Sequence, residues 1–273
     1  MSFKKIICLL FACFIASGCS FLKNTESQKK REAITDLDYL KHFSFLGDSY
    51  LQSSDVHVVN ISQQSQEYIY KIFQRLVQNN ELILTDVKEI KFYIISNPTP
   101  FIFSLPGNTF FYSSGLFLKH MKSEELFVAT FAAEILKSQK NVFEKKVFIP
   151  LGFMTTEKML QLTRVKPEYK KRINEWSFQI LKRAGYDGTA YLNWIQVQNR
   201  NSIDFALYLG ETSSIMNEEQ MFKNFISSQG IMSVEKKLNE SNSSKEYYNL
   251  LKEIDKGNYE TRAVRKNFSR RAI

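Results

Sequence analysis

The sequence predicts an α+β fold in which a small mixed or antiparallel sheet packs on a central buried helix, with further helices around it. Two observations support this fold class. Short apolar runs between residues 91 and 112 are separated by turn residues, as neighbouring β-strands are. The stretch 126–136 is apolar on nearly every side, which is typical of a helix in the interior of a domain.

The elements before the central helix follow from local patterns. Apolar residues at helical spacing predict a helix over residues 65–79. Apolar and β-branched runs predict three strands, over residues 91–96, 101–104 and 109–112. Pro106-Gly107-Asn108 reverses the chain between the second and third strands. Ser123 is then the expected N-cap of the central helix.

Downstream of the central helix the pattern is helical. Pro167 favours the first turn of a helix that Gly185 ends, since proline is tolerated at that position and glycine adopts the terminating conformation. Asp187 is expected to cap the next helix, and Asn217 precedes a third. A last helix is predicted over residues 244–254.

Residues 1–18 have the layout of a signal peptide. Lys4 and Lys5 precede an apolar run that is too short to span a bilayer comfortably, and small residues then lead to Cys19. This arrangement resembles a bacterial lipobox, which implies cleavage after Gly18 and lipidation of Cys19, and Ser20 resembles the outer-membrane sorting signal. We therefore expect a bacterial outer-membrane lipoprotein that faces the periplasm and is held to the membrane by a lipid on Cys19. An uncleaved anchor and an ordinary secretory signal are the alternatives.

After the signal peptide, the sequence divides into a lipidated cysteine with its tether (19–43), one domain (44–256) and a basic C-terminal tail (257–273). The domain is long enough for one sizeable core and contains no linker or repeat. Removing residues 1–18, which include two lysines and no acids, lowers the formal net charge from +9 to +7. The tail contains the basic residues Arg262, Arg265, Lys266, Arg270 and Arg271. We interpret it as a solvated terminus, and contact with anionic lipid head groups is the alternative.

Cysteine and histidine usage excludes several classes of site. All three cysteines lie in residues 1–19, so the mature domain has no thiol for a disulfide, a nucleophile or a metal. The three histidines do not have the spacing of a metal-binding pair. No phosphate-cradling or base-stacking motif points to nucleic acid, which we do not expect as a partner. No metal or other cofactor is expected.

Several short motifs occur in a characteristic order: Leu105-Pro106-Gly107, Ser114-Gly115-Leu116, Ala133-Glu134-Ile135-Leu136-Lys137 and Arg183-Ala184-Gly185-Tyr186-Asp187. In this order the chain resembles the HtpX- and BepA-type zinc metallopeptidases, metallopeptidase family forty-eight, over residues 60–200. Members typically read L-P-G-G, G-L, A-H-E-I-G-H and A-G-Y-D-P at these places, and Gly188 stands here where proline is usual. The resemblance implies a zincin-like metallopeptidase fold.

The zinc site of the family does not carry over to this chain. In a helical H-E-x-x-H motif the two histidines bind Zn²⁺ and the glutamate acts as general base. Here the histidine positions read Ala133 and Lys137, the third ligand position reads Lys170, and the supporting aspartate position reads Asn174. Alanine has no ligating atom, and an ammonium group repels a divalent cation. Only a vestigial Glu134 remains, so the resemblance implies neither metal nor catalysis.

We expect Lys137, alone or together with Lys170, to fill the former metal space and to pair with Glu134, because a buried carboxylate without a metal needs another cation. Lys137 follows Glu134 by three residues, which places the two side chains on one face of a helix. Alternatively, Glu134 is a polar residue facing a solvent-filled cleft.

The expected function is that of a pseudopeptidase that binds extended or unfolded envelope proteins, for example in protein quality control. Peptidases of this fold hold a chain against an edge strand, and this backbone pairing needs no zinc. The candidate edge residues are Phe101, Phe103, Phe110 and Tyr112. Two alternatives are an active zinc metalloendopeptidase with ligands that the alignment missed and a purely structural envelope lipoprotein. An open groove beside the second or third strand would favour binding, and a filled one would favour the structural role.

Overall fold

The computed structural model describes residues 35–87, 89–140, 142–143, 153–210, 213–230 and 242–271. The chain divides into two units, Met1–Tyr39 and Leu40–Ile273. In the first unit only residues 35–39 are described, where Thr35 caps the first helix: its hydroxyl accepts from the Asp38 backbone N–H at 3.2 Å, and its own N–H donates to the Asp38 carboxylate at 2.9 Å. The predicted signal peptide and Cys19 lie outside the described residues.

The described residues form ten helices and three strands, which confirms the α+β class. The helices are α1 (Asp36–Leu51), α2 (Gln63–Gln78), α3 (Ser114–His120), α4 (Glu124–Gln139), α5 (Thr156–Leu162), α6 (Pro167–Arg183), α7 (Ala190–Arg200), α8 (Ala206–Leu209), α9 (Ser213–Ser228) and α10 (Lys245–Arg271). The strands are β1 (Lys91–Ile95), β2 (Ile102–Leu105) and β3 (Thr109–Ser113). None of these helices combines the length and the apolar character needed to cross a membrane.

The three strands form one mixed sheet in the order β1-β3-β2. β1 runs parallel to β3, with Lys91 opposite Thr109, and β2 runs antiparallel to β3, with Leu105 opposite the same Thr109. The predicted reversal between β2 and β3 is present, and its Gly107 and Asn108 have positive φ angles of 85° and 59°. Glycine and asparagine tolerate this left-handed region best, which explains their place in the turn.

Aromatic rings cover both faces of the sheet. On one face, Phe92 and Phe110 each meet Phe131 of α4 edge-on, at centroid distances of 5.6 and 5.0 Å. On the other face, Tyr50 of α1 meets Phe103 and Phe111 edge-on, at 5.6 and 5.7 Å. Edge-to-face packing of this kind adds to the stabilisation from burial alone. The sheet is therefore the middle layer between two helices.

Helix α1 contributes residues to the core, which corrects the prediction that residues 36–43 belong to the tether. The helix begins at Asp36, inside the expected tether 19–43, and Phe43 is only 3% exposed. Phe43, Leu46 and Tyr50 recur at helical spacing and are all buried. The polar residues around them account for the earlier assignment.

The central helix α4 is buried on nearly every side, as predicted. Ser123 is its N-cap residue, but its side chain makes no capping hydrogen bond. Instead the Glu124 backbone N–H donates to the Ser243 hydroxyl at 3.0 Å. The free N–H of the first turn is thus satisfied by the segment before α10 rather than by the local cap.

Helix α6 starts at Pro167 as predicted, and Gly185 follows its end with a φ of 76°. Two other starting points differ from the prediction. Helix α7 is capped at Thr189, and Asp187 accepts hydrogen bonds from the Thr189 backbone and hydroxyl at 2.8 and 2.7 Å. Asn217 lies inside α9, which begins four residues earlier.

Helix α10 extends well past residue 254, so most of the expected tail 257–273 is helical. Burial accounts for this extension. The Asn258 side-chain carbonyl accepts hydrogen bonds from the hydroxyls of Ser96 and Ser114 at 2.9 and 3.0 Å. Gly257 lets the helix approach closely, since a Cβ there would lie 2.6 Å from Val59.

Candidate functional site

Four of the five residues that the resemblance aligns with a metal site line one cavity beside β2, and Ala133 is not among its lining residues. Glu134 and Lys137 of α4 and Lys170 and Asn174 of α6 all line it, and its volume is about 60 Å³. Ile102 and Phe103 of β2, residues of α7, Tyr208 of α8 and Glu218 of α9 complete the wall. A polar cavity of this size has room for a few water molecules but not for a peptide.

Glu134 lies at the base of this cavity and is 2% exposed. Its Oε1 accepts a hydrogen bond from Lys137 Nζ at 2.5 Å, and its Oε2 accepts from the Ser104 hydroxyl at 2.8 Å. The expected contact between Lys137 and Glu134 is therefore present. Helical geometry provides it locally, because residues three apart lie on the same face of α4.

Lys137 is held in its charged form. Desolvation lowers the pKa of this ammonium group, but attraction to the Glu134 carboxylate outweighs desolvation and leaves the pKa above its ordinary value. The side chain is 12% exposed. A protonated amine has no lone pair to offer, so Lys137 cannot act as a metal ligand here.

Lys170 does not join this pair, so Lys137 is the lysine that pairs with Glu134. Its Nζ lies 3.4 Å from Oε2 of Glu218, and Asn174 donates to the other oxygen of Glu218 at 3.0 Å. The sequence reading missed Glu218 because it comes from α9, 48 residues from Lys170. The site thus contains two separate ion pairs, one within α4 and one between α6 and α9.

The donor set at this cavity does not fit zinc. Ala133 has no donor atom, and both carboxylates that line the cavity, Glu134 and Glu218, already contact ammonium groups. A divalent cation placed between them would lie beside Lys137 and Lys170 and be repelled. Within the described ranges, no group of three or more histidine, cysteine or acidic side chains is arranged to hold a metal ion.

Three tyrosine side chains lie near the Glu134 and Lys137 pair. Tyr191 and Tyr208 line the cavity, and the Tyr112 hydroxyl is buried without a hydrogen-bond partner among the described residues. Burial raises the pKa of all three phenols, so they are neutral. No local signal in the sequence marks Tyr191 or Tyr208 as a residue of this site.

The candidate binding edge is not accessible. Phe110 and Tyr112 lie on β3, which is the central strand and has no free edge. Phe101 and Phe103 lie at β2, which is an edge strand, but the four candidate side chains are only 0–2% exposed. Every residue of β2 is buried. The space beside β2 is therefore only a cavity of about 60 Å³, which side chains of α4, α5, α6, α7 and α8 help to line.

The chain was also compared with known proteins. No protein-family model matches it, and no curated protein sequence matches it significantly.

Proposed function

We propose that this chain is a catalytically inactive, zincin-like metallopeptidase homologue: a lipoprotein of the bacterial outer membrane, held by a lipid on Cys19, that binds extended or unfolded envelope polypeptides. One observation supports the proposal that the chain is not catalytic. The carboxylate at the position of the general base is buried and neutralised by Lys137 instead of by a metal ion.

A general base must reach a water molecule or a substrate proton. Glu134 is 2% exposed, and each of its oxygens already accepts a hydrogen bond. Peptide hydrolysis by the family mechanism also needs a metal to lower the pKa of the attacking water. With Ala133, Lys137 and Lys170 at the ligand positions, these three positions offer no donor set for that metal. Glu134 therefore serves as the buried counter-ion of Lys137.

The clustering of the aligned positions supports the proposed kinship. The positions of Lys170 and Asn174 in the resemblance follow only from their spacing to the Ala184-Gly185-Tyr186 motif in the sequence. Both residues line the same cavity as Glu134 and Lys137. Residues of α4 and α6 would meet in this way if the alignment is correct.

The first test is peptidase activity. The full-length chain in detergent, supplied with Zn²⁺, is expected to leave an unfolded, casein-like substrate intact. Cleavage that persists through a second purification and is abolished by Glu134→Gln would overturn the proposal. A known zinc peptidase under the same conditions shows that the assay detects hydrolysis.

The second test rebuilds the ligand set. The triple variant Ala133→His, Lys137→His and Lys170→Glu is expected to bind one equivalent of zinc, measured by metal analysis after dialysis, whereas the wild type binds none. A matched control carries the same substitutions at 137 and 170 but retains Ala133. A folded triple variant without zinc would show that these positions are not the remnant of a metal site.

A purely structural role is the second candidate. It is favoured by the burial of every residue of β2 and by the central place of β3, because neither strand offers an open groove. The binding of extended peptides to the purified chain separates the two roles. A structural protein would bind none, and the binding role requires a different open edge.

A further inference from the structure

The outer edge of β1 is only half covered. Its C-terminal half pairs with the segment before α2: the Val59 N–H donates to the Ile94 carbonyl at 2.7 Å, and the Ser96 N–H donates to the His57 carbonyl at 2.8 Å. On the other side, the Lys91 N–H donates at 3.0 Å to Asn108, next to β3. The backbone N–H and C=O groups of the even-numbered residues of β1 thus point outward, and those of the odd-numbered residues point toward β3.

By this alternation, the backbone N–H and C=O of Phe92 point to the outer edge of the sheet. Its backbone N–H and C=O form no hydrogen bond with the part of the chain that the structure describes. The segment 57–59, which would otherwise continue along β1, turns away at Ser62 to begin α2. Among the described residues, the N-terminal half of β1 is therefore an unpaired strand edge, which is the kind of edge that accepts an added strand.

A groove of about 540 Å³ runs along this open edge, between β1 and α2. Its volume lies within the range of about 300–1,000 Å³ that is usual for binding pockets. Half-buried apolar side chains form part of its lining: Ile61, Tyr70, Ile90, Phe92 and Tyr93. An extended segment could place alternate side chains on this apolar surface while its backbone pairs with Phe92.

The rim of the groove carries more negative than positive charge. Glu67 of α2 and Glu89, which precedes β1, are exposed, and Lys91 is the one basic residue among the groove-lining residues. Neither carboxylate forms an ion pair with a described residue, and Glu67 accepts only a hydrogen bond from Gln63 at 3.0 Å. The groove is thus locally acidic in a chain whose formal net charge is +9.

We propose that the open edge of β1 binds an extended polypeptide segment that carries apolar residues and an adjacent lysine or arginine. The segment adds a strand antiparallel to β1, in continuation of residues 57–59, with its backbone hydrogen-bonded to Phe92 and its basic residue beside Glu67 and Glu89. This inference rests on the proposed binding function and places that function at β1, on the opposite side of the sheet from β2.

The test measures the binding of short labelled peptides to the full-length chain in detergent by fluorescence anisotropy. The first peptide alternates valine with lysine, the second replaces lysine with glutamate, and the third is the first peptide methylated on alternate backbone nitrogens. We expect the lysine peptide to bind, and the glutamate and methylated peptides to bind at least tenfold more weakly, because they lose charge complementarity and backbone pairing, respectively.

The protein variant is Glu67→Lys combined with Glu89→Lys, and it is expected to weaken the lysine peptide about tenfold. Glu81→Lys is the matched control, because Glu81 is also exposed but does not line the groove. It should leave the affinity within about twofold. Circular dichroism of both variants shows whether the fold is retained.

The outcomes separate the two proposals. Tight binding that ignores backbone methylation or the reversal of Glu67 and Glu89 overturns the β1 site but leaves the binding function intact. Failure of every extended peptide to bind overturns both. A dimer in analytical ultracentrifugation that the Glu67 and Glu89 variant dissociates would identify a second copy of this chain as the occupant, and would also overturn the β1 proposal as stated.

Discussion

Replacing Lys137 with methionine tests whether the Glu134 and Lys137 pair holds the centre of the domain together. Methionine retains much of the apolar stem but leaves a carboxylate that is 2% exposed without its cation. Breaking a buried ion pair from one side typically costs about 3–5 kcal/mol. Ser104 still donates to the carboxylate, and the adjacent cavity of about 60 Å³ can admit water, so the lower end applies. We expect a loss of about 3 kcal/mol in the free energy of unfolding.

The measurement is urea unfolding of the full-length chain, followed by circular dichroism. The double variant Lys137→Met with Glu134→Gln removes both charges while the new amide can still accept from Ser104, so it should lie within about 1 kcal/mol of wild type. Lys171→Met is the matched control. Lys171 is 59% exposed and its Nζ lies 3.9 Å from Glu175, and loss of such a surface pair should cost under about 0.5 kcal/mol.

The reasoning would be refuted by a single Lys137 variant that loses less than about 1 kcal/mol, or by a double variant no more stable than the single one. Either result would mean that Glu134 finds water or another donor without Lys137. In that case Glu134 would be a polar residue of a solvent-filled cavity.

Three further predictions concern packing and pH. Gly115→Ala should lower the free energy of unfolding by about 2 kcal/mol, since the new Cβ would lie 2.3 Å from a backbone carbonyl oxygen of the neighbouring loop. Gly107→Ala has open space around the new Cβ but a φ of 85°, and it should lower the free energy of unfolding by about 1 kcal/mol; equal thermal shifts of the two variants would contradict this. Desolvation lowers the pKa of His120 from its ordinary 6.5, so the stability that the neutral imidazole confers is present above pH 6.5 and is lost as pH falls through the lower folded pKa. His120→Gln should flatten the dependence of the urea midpoint on pH in this range, and an unchanged slope would argue against this assignment. Desolvation raises the pKa of Glu253, but hydrogen bonds from the start of α2 outweigh desolvation and hold the pKa below its ordinary 4.5. The resulting stability is present above pH 4.5 and is lost as pH falls through the folded pKa, so Glu253→Gln should be less stable than wild type at pH 7 but lose less stability on acidification. A wild-type acid response in that variant would speak against the assignment.

The parts of the fold that depend on local patterns were predictable. The three strands and α4 follow from short apolar runs and from a helix that is apolar on every side. Helix α1 also carried a local signal, the spacing of Phe43, Leu46 and Tyr50, which was missed among polar neighbours. The extension of α10 had no such signal. Gly257 and Asn258 are poor helix formers, and only their contacts with distant segments explain why the helix continues.

The same distinction applies to the candidate site. The contact between Glu134 and Lys137 was predictable because it lies within one helical turn. The contact between Lys170 and Glu218 depends on how α6 and α9 pack, and no spacing in the sequence encodes it. Which strands lie at the edges of the sheet also depends on contacts between residues far apart in the sequence. β1 pairs with β3 rather than with β2, and this pairing makes β3 the centre of the sheet. Apolar strands alone do not specify their order.

The contacts of α10 have a consequence for how the chain is made. Tyr247, Leu250 and Ile254 are buried in the core, and Asn258 satisfies hydroxyls that flank β1 and α3. A chain cut before α10 therefore contains the sheet but lacks the groups that complete its surroundings. Stable folding requires α10, and a fragment without it would expose apolar surface to proteases.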